Sequence, residues 1–336
     1  YINLGKLFIK TGDLFGAKQK LLKALRIKDK FPEAYINLGQ IFNIQDKLEQ
    51  ARDENLKAIE LQSDNADAHH NLSIPLLKSK QFIEGWEEYE WRWKSKSTKF
   101  NLGEKLKTSQ PEWSPDQRGR VLLWPEQGLG DQLMFASLIP DFIDYVDQLI
   151  IKIDPRLIPL LQRTLPERVK YISKEDHIDE SEYDSHIAMG SLPKYLRKSL
   201  ESFQLAKPLK LKVNQQQSDS LRSKLLNKKF DKIIGISWKS KKIANINQCK
   251  SLSLEDFILK LYSPNICFVS LQYGDVKEEI NQLKQKHNIE IYDAKEIDKF
   301  YDIDSLASLI NACDEVISMR NSTVPLAGAI GKKSHI

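Results

Sequence analysis

Tyr1-Ile-Asn-Leu-Gly5 returns as Tyr35-Ile-Asn-Leu-Gly39 and, more loosely, as His69-His-Asn-Leu-Ser73, a step of 34 residues taken twice. A large apolar residue keeps the same phase at Phe8, Phe42 and Leu76, and a small one at Ala17, Ala51 and Gly85. Ala24 and Ala58 extend the pattern until Arg92 breaks it. A fixed period of this length marks stacked supersecondary units, none of which buries its apolar face alone. The small residue beside Leu lets the two helices of a hairpin approach closely, and large residues on the neighbouring turn fill the gap to the next hairpin.

A period of 34 with Leu-Gly, then a small residue, then Ala is the tetratricopeptide signature. Residues 1–93 are therefore expected to form about three such repeats, the first incomplete, with a concave groove that receives a protein or an extended peptide. The third unit departs from the pattern: Pro75 falls in its first helix and Trp86, Tyr89, Trp91 and Trp93 in its second. Rings spread over more than one face suit a terminal repeat packed against another domain better than a carbohydrate-stacking platform. Residues 94–119, with Pro111, Pro115 and Gly119, read as a linker.

From Arg120 onward short apolar runs alternate with amphipathic segments, the pattern of βαβ units and a parallel sheet. Strands are expected at Val121–Trp124, Gln148–Ile153, Val169–Ile172 and Ser185–Ala188, and a second set at Lys232–Trp238, Ile266–Leu271, Glu290–Tyr292 and Glu315–Ser318. Helices are expected at Gln132–Tyr145, Leu157–Leu165, Leu254–Leu261, Val276–Gln285 and Ile303–Cys313. The division is a lobe at 120–206 and another at 207–336, with a cleft where the strand C-termini face each other. Tyr1 falls inside a repeat and Ile336 where a further strand begins, so the chain is expected to be open at both ends.

Gln127-Gly-Leu-Gly-Asp131 follows the first strand and opens a helix, so its amides and the helix dipole suit an anion. It is not a dinucleotide fingerprint, because Leu133 stands where the third glycine belongs, and no P-loop Lys-Ser or Lys-Thr follows. That absence disfavours an NAD-dependent enzyme. By itself Asp131 also reads as a plain helix N-terminal carboxylate.

Trp124-Pro-Glu-Gln-Gly-Leu-Gly-Asp131, Gly235-Ile-Ser-Trp-Lys239, Ser251-Leu-Ser-Leu254, Ser270-Leu-Gln272, Ser305-Leu-Ala-Ser-Leu-Ile310 and Leu326-Ala-Gly-Ala-Ile-Gly331 occur in the order found in heptosyltransferase-like glycosyltransferases of family 9. The chain resembles in particular the bacterial members fused to tetratricopeptide repeats. The resemblance implies an α solenoid followed by a GT-B pair of Rossmann-like lobes, the second holding a nucleotide-sugar that serves as co-substrate, with no separate cofactor and no metal. It implies Asp131 as general base. Gly128, Gly130, Lys239, Lys241 and Gln272 are the implied donor-binding positions, with Lys242 in reserve; Arg320, Asn321, Ser322 and Thr323 join them on chemical grounds, since Asn321-Ser-Thr323 offers a helix N-cap and amides for a phosphate. The acceptor would be a hydroxyl of a protein or a glycan, recruited by the repeats.

Two positions depart from that family: Arg320 stands in place of its Asp and Pro325 in place of its His. Arg320 is suited to bidentate pairing with a diphosphate, but the substitutions leave two other outcomes open, an altered donor or a non-catalytic scaffold whose repeats hold a partner. Composition limits the partners further. A net charge of +5 is too small and too dispersed for a nucleic-acid footprint. No apolar run reaches bilayer length and no secretory leader is evident. Cys249, Cys267 and Cys313 lack metal-ligand spacing and read as reduced packing residues, which points to the cytoplasm.

Overall fold

The computed structural model describes residues 1–98, 102, 105–226, 230–240 and 252–336. Lys241, Lys242, Cys249 and Ser251 lie outside the described residues. The chain divides into two compact units, one of Tyr1–Thr108 with Ile187–Lys207, the other of Ser109–His186 with the described part of 208–336.

The first unit begins with six helices: α1 (Ile2–Thr11), α2 (Leu14–Ile27), α3 (Pro32–Ile44), α4 (Leu48–Leu61), α5 (Ala66–Lys78) and α6 (Phe82–Tyr89). They pair as successive hairpins, and each hairpin packs on the next. The repeated glycines let the helices come together: a methyl on Gly5 would lie 2.9 Å from Leu21 Cδ2, and one on Gly39 would lie 2.5 Å from Asn55 Nδ2. Asn55 has no room to yield, being fully buried with Nδ2 bonded to Ala51 O at 2.7 Å. Gly39→Val is therefore expected to cost about 3 kcal/mol, the clash outweighing the gain in helix propensity; urea denaturation monitored by circular dichroism measures it.

Between the first two hairpins Leu38, Ile41 and Phe42 pack on Ile9, Ala17 and Leu21. Pro75 interrupts α5 only chemically: having no N–H, it leaves the Asn71 carbonyl without its helical donor, and Asn43 Nδ2 of the preceding hairpin donates to that oxygen at 3.5 Å. The aromatic run after α6 continues as a 3₁₀ turn at Glu90–Trp93. Trp86 Nε1 donates to Arg197 O at 2.9 Å, Phe82 packs on Phe203 with centroids 4.9 Å apart, and the buried Arg92 donates to Ser191 Oγ at 2.8 Å. The third hairpin is thus covered by residues 191–203.

In the second unit β1 (Arg120–Trp124) leads into α7 (Leu129–Ala136) and α8 (Ile139–Phe142), followed by β2 (Gln148–Ile153), α9 (Ile158–Thr164), β3 (Lys170–Ser173) and β4 (Ser185–Ala188). The helix expected over Gln132–Tyr145 is broken after Ala136. Pro140 supplies no N–H and restarts the chain as a new first turn. The sheet order is β3-β2-β1-β4, with β1 parallel to β2 from Arg120 opposite Gln148 and β2 parallel to β3 from Ile150 opposite Lys170. Within the stretch read as a linker, Trp113 is buried edge-on against Phe142, with ring centroids 4.9 Å apart.

Two short helices, α10 (Leu192–Leu196) and α11 (Leu200–Gln204), belong to the first unit. The second sheet then follows: α12 (Gln215–Leu226), β5 (Lys232–Ser237), α13 (Leu254–Leu259), β6 (Ile266–Ser270), α14 (Lys277–His287), β7 (Ile291–Tyr292), α15 (Ile303–Ala312), β8 (Glu315–Ser318), α16 (Thr323–Ile330) and β9 (Ser334–His335). All its strand pairs are parallel, in the order β7-β6-β5-β8-β9. The apolar runs make the core: Ile234, Ile236, Trp238, Phe257, Ile258 and Phe268 pack together on one face of the sheet. Cys267 and Cys313 are buried, and burial pushes the Cys313 thiol up to about 12. Among the described residues no helix is long and apolar enough to cross a membrane.

Candidate active site

In each sheet an interior strand is followed by a helix whose first turn lies beyond the strand's C-terminal end, the edge where open parallel sheets bind ligands. From β1 the chain passes through Gly128, whose backbone is extended, into the first turn of α7. From β8 it passes through Arg320, Asn321 and Ser322 into the first turn of α16. These first turns touch. A methyl on Gly130 would lie 3.7 Å from both Pro325 Cγ and Ser322 Cα, which is van der Waals contact. Two helix N-termini, each the positive end of a dipole, therefore converge.

Asp131 occupies the third position of α7. Burial raises its carboxyl above the usual aspartate range, against the opposing pull of the Gly128 and Asp131 backbone N–H groups. Those contacts form half of a capping box, in which the third residue reaches back to the N-cap amide. Gly128 and Gly130 are not demanded by the backbone, because neither is among the positive-φ residues and a methyl at either meets nothing closer than 3.7 Å.

The turn is anchored from beneath. Gln132, 2% exposed, donates from Nε2 to Gln127 O at 2.8 Å and accepts from Asp154 N at 2.9 Å, tying the turn to the end of β2. The Asp154 carboxylate, 3% exposed, takes Arg156 Nε at 2.7 Å, Arg156 Nη2 at 2.8 Å and Lys174 Nζ at 2.9 Å. Burial alone would raise its pKa, but these cations hold it well below the usual carboxylate range. Arg156 Nη1 also donates to Phe300 O at 2.8 Å, and Arg163 pairs bidentately with Asp304 at 2.9 and 2.7 Å, tying the segment after β2 and α9 to the segment that leads into α15 and to its first turn.

A group with a depressed folded pKa stabilises above its unfolded pKa, and its contribution falls as pH drops through the carboxylate range. Asp154→Asn is accordingly expected to lose about 3 kcal/mol at neutral pH, with the gap to the parent protein closing in acid; urea titrations across pH give both values. The sequence signal for this cluster was Asp154-Pro-Arg156 at a strand end, and it was not singled out.

On the second sheet one side-chain amide organises the strand ends. Gln272 Oε1, buried, accepts from Ser237 Oγ at 3.0 Å, Trp238 N at 3.0 Å and Lys239 N at 2.8 Å. Asn321 Nδ2 donates to Ser237 Oγ at 2.7 Å and Lys239 O at 3.0 Å, while its Oδ1 accepts Thr323 N at 2.9 Å. Both amides thus work inside the protein, fixing the loop after β5 against the N-terminus of α16. The Lys239 ammonium pairs with Glu279, whose other oxygen accepts Trp238 Nε1 at 3.0 Å. Arg320 is exposed and Thr323 buried. Of the residues singled out in the sequence, Gly130 meets Ser322, and Lys239 meets Gln272 and Asn321.

No family model matches the chain. A curated relative, Protein FlbA of Caulobacter vibrioides, is 32% identical over 273 residues, covering 74% of this chain and 44% of that protein. The chain spans less than half the length of the curated relative it matches. Among solved structures, the chain is similar to the ADP-heptose lipopolysaccharide heptosyltransferase II of E. coli, at 16% identity and a TM-score of 0.45 over 64% of this chain and 83% of that one. It is similar also to a family 9 glycosyl transferase of Veillonella parvula, at 12% identity and a TM-score of 0.47 over 66% of this chain and 81% of that one.

Proposed function

We propose that the protein is a glycosyltransferase that moves a sugar from a nucleotide-sugar to an acceptor hydroxyl of a protein or glycan, the helical hairpins recruiting the acceptor or a partner. The observation that carries this reading is the meeting of the first turns of α7 and α16, with a half-buried, pKa-raised carboxyl at Asp131 beside them. Glycines that the backbone does not require suit close approach of a ligand.

In the proposed reaction the acceptor oxygen attacks the anomeric carbon, the bond from that carbon to the diphosphate oxygen breaks, and the acceptor proton passes to Asp131. The departing diphosphate gains negative charge, which the helix N-termini, Lys239 and Arg320 offset. For Lys239 this requires exchanging Glu279 for phosphate. Gln272 and Asn321 act by holding the Lys239 backbone in place. The reading predicts release of nucleoside diphosphate when the protein is incubated with sugars activated by one of UDP, GDP or ADP.

Arg320, Pro325 and the Lys239–Glu279 pair favour a second reading, a scaffold that binds a nucleotide without turning it over. Stoichiometric nucleotide binding with no release from any activated sugar would establish that reading in place of the first.

A further inference from the structure

The outward face of α2 differs from that of its repeat partner in a way the hairpin fold does not require. Within Leu14–Ile27 there are four cations, Lys18, Lys20, Lys23 and Arg26, and no carboxylate. Lys28 and Lys30 follow directly. The flanking acids are occupied locally, Asp13 accepting Gly16 N at 2.8 Å and Asp29 accepting Lys30 N at 2.9 Å. Between the cations, apolar side chains stand in solvent: Phe15 is 73% exposed, Ile27 70% and Leu22 41%.

One period later the same places hold Glu49, Glu54, Glu60 and Asp64, where α2 and its exit have Phe15, Lys20, Arg26 and Lys30, while Lys18, Leu22, Lys23 and Ile27 keep their character as Arg52, Leu56, Lys57 and Leu61. Glu49, Glu60 and Asp64 are exposed although the second hairpin is flanked on both sides. These positions therefore face solvent by virtue of their place in a hairpin, whatever packs beside it; Lys18, Lys23 and Lys28 lie over the rings of Phe42, Tyr1 and Phe31, whereas among the described residues no such contact accounts for Phe15, Lys20, Arg26 and Lys30, which the second repeat replaces by acids.

We propose that this face of α2 docks on an anionic lipid bilayer, Phe15, Leu22 and Ile27 entering the headgroup boundary and the surrounding Lys and Arg meeting the lipid phosphates and carboxylates. Protruding aromatic and aliphatic groups within a ring of cations match an interface that is apolar below and negative at the surface. An acidic peptide would use the cations and leave the apolar groups wet. The proposal is independent of the proposed transfer reaction.

The test is co-sedimentation of the full chain with phosphatidylcholine vesicles, with and without phosphatidylserine, and polyglutamate as a competing soluble anion. The chain is expected to sediment with phosphatidylserine vesicles, to be released by salt and to ignore pure phosphatidylcholine. The variant Phe15→Glu/Lys20→Glu/Arg26→Glu/Lys30→Asp carries residues that the second repeat already accommodates at those positions, and three lost cations predict a drop of about a hundredfold or more in vesicle partition. Arg26→Gln/Lys30→Gln, both at exposed positions, provides a milder change expected to lose on the order of tenfold. No sedimentation of the parent chain, equal sedimentation of the variants with unchanged thermal unfolding, or binding to polyglutamate but not to vesicles would each overturn the proposal.

Discussion

Asp131→Asn is expected to lower the turnover of an activated sugar by about 10³-fold while leaving nucleoside diphosphate affinity nearly unchanged. The amide keeps the volume of the carboxyl and can still meet the Gly128 amide through its oxygen, so α7 retains its cap. What it loses is the ability to take the acceptor proton, and general-base assistance contributes roughly 10²–10⁴-fold. The raised pKa of Asp131 adds a second expectation. Because burial favours the neutral carboxyl, the acidic limb of the parent protein's kcat/KM profile should fall at a pH above the ordinary aspartate range, and Asp131→Asn should lack that limb. Equal activity of the two proteins at every pH would leave Asp131 as a helix cap and nothing more.

Gln272→Leu is expected to be the most damaging single change in the second sheet. Its Oε1 receives three donors, two of them backbone amides, and Leu offers none of them a partner. Each buried donor left unsatisfied costs about 1–3 kcal/mol, so a total loss of roughly 3–5 kcal/mol follows, allowing for partial relaxation. The same change frees the Lys239 backbone, and nucleotide affinity should fall even at temperatures where the variant stays folded. Gln272→Glu, which keeps the accepting oxygen, should recover most of the stability. Chemical denaturation of the three proteins, with nucleotide titration of those that remain folded, separates the structural contribution from the ligand contribution.

These two residues also mark how far the sequence could be read. The strands at Gln148–Ile153, Ser185–Ala188 and Glu315–Ser318 were legible to the residue, because apolar runs bounded by turn formers have little alternative. The 34-residue period gave the helix pairs, since the close contacts at Gly5 and Gly39 tolerate only small residues. The turn Gly128–Asp131 and the segment Asn321–Thr323 were legible as helix starts, whereas their meeting depends on tertiary packing. Three features were not legible. The break at Pro140 came between two stretches of helical periodicity that looked continuous. Helices α10 and α11 have five residues each, too few for a periodic signal. The inward use of the Gln272 and Asn321 amides, and the pairing of Lys239 with Glu279, depend on which side chains tertiary packing brings into reach.

The most direct test of the account is calorimetric titration of the full chain with UDP, GDP and ADP, with Lys239→Ala alongside. If the region beside the meeting first turns of α7 and α16 holds a nucleoside diphosphate, one of the three binds with a stoichiometry of about one, and Lys239→Ala weakens that binding by about tenfold or more through the lost charge-assisted hydrogen bond. Absence of heat with all three nucleotides, or binding indifferent to Lys239→Ala, would contradict the central claim that this region is a donor site.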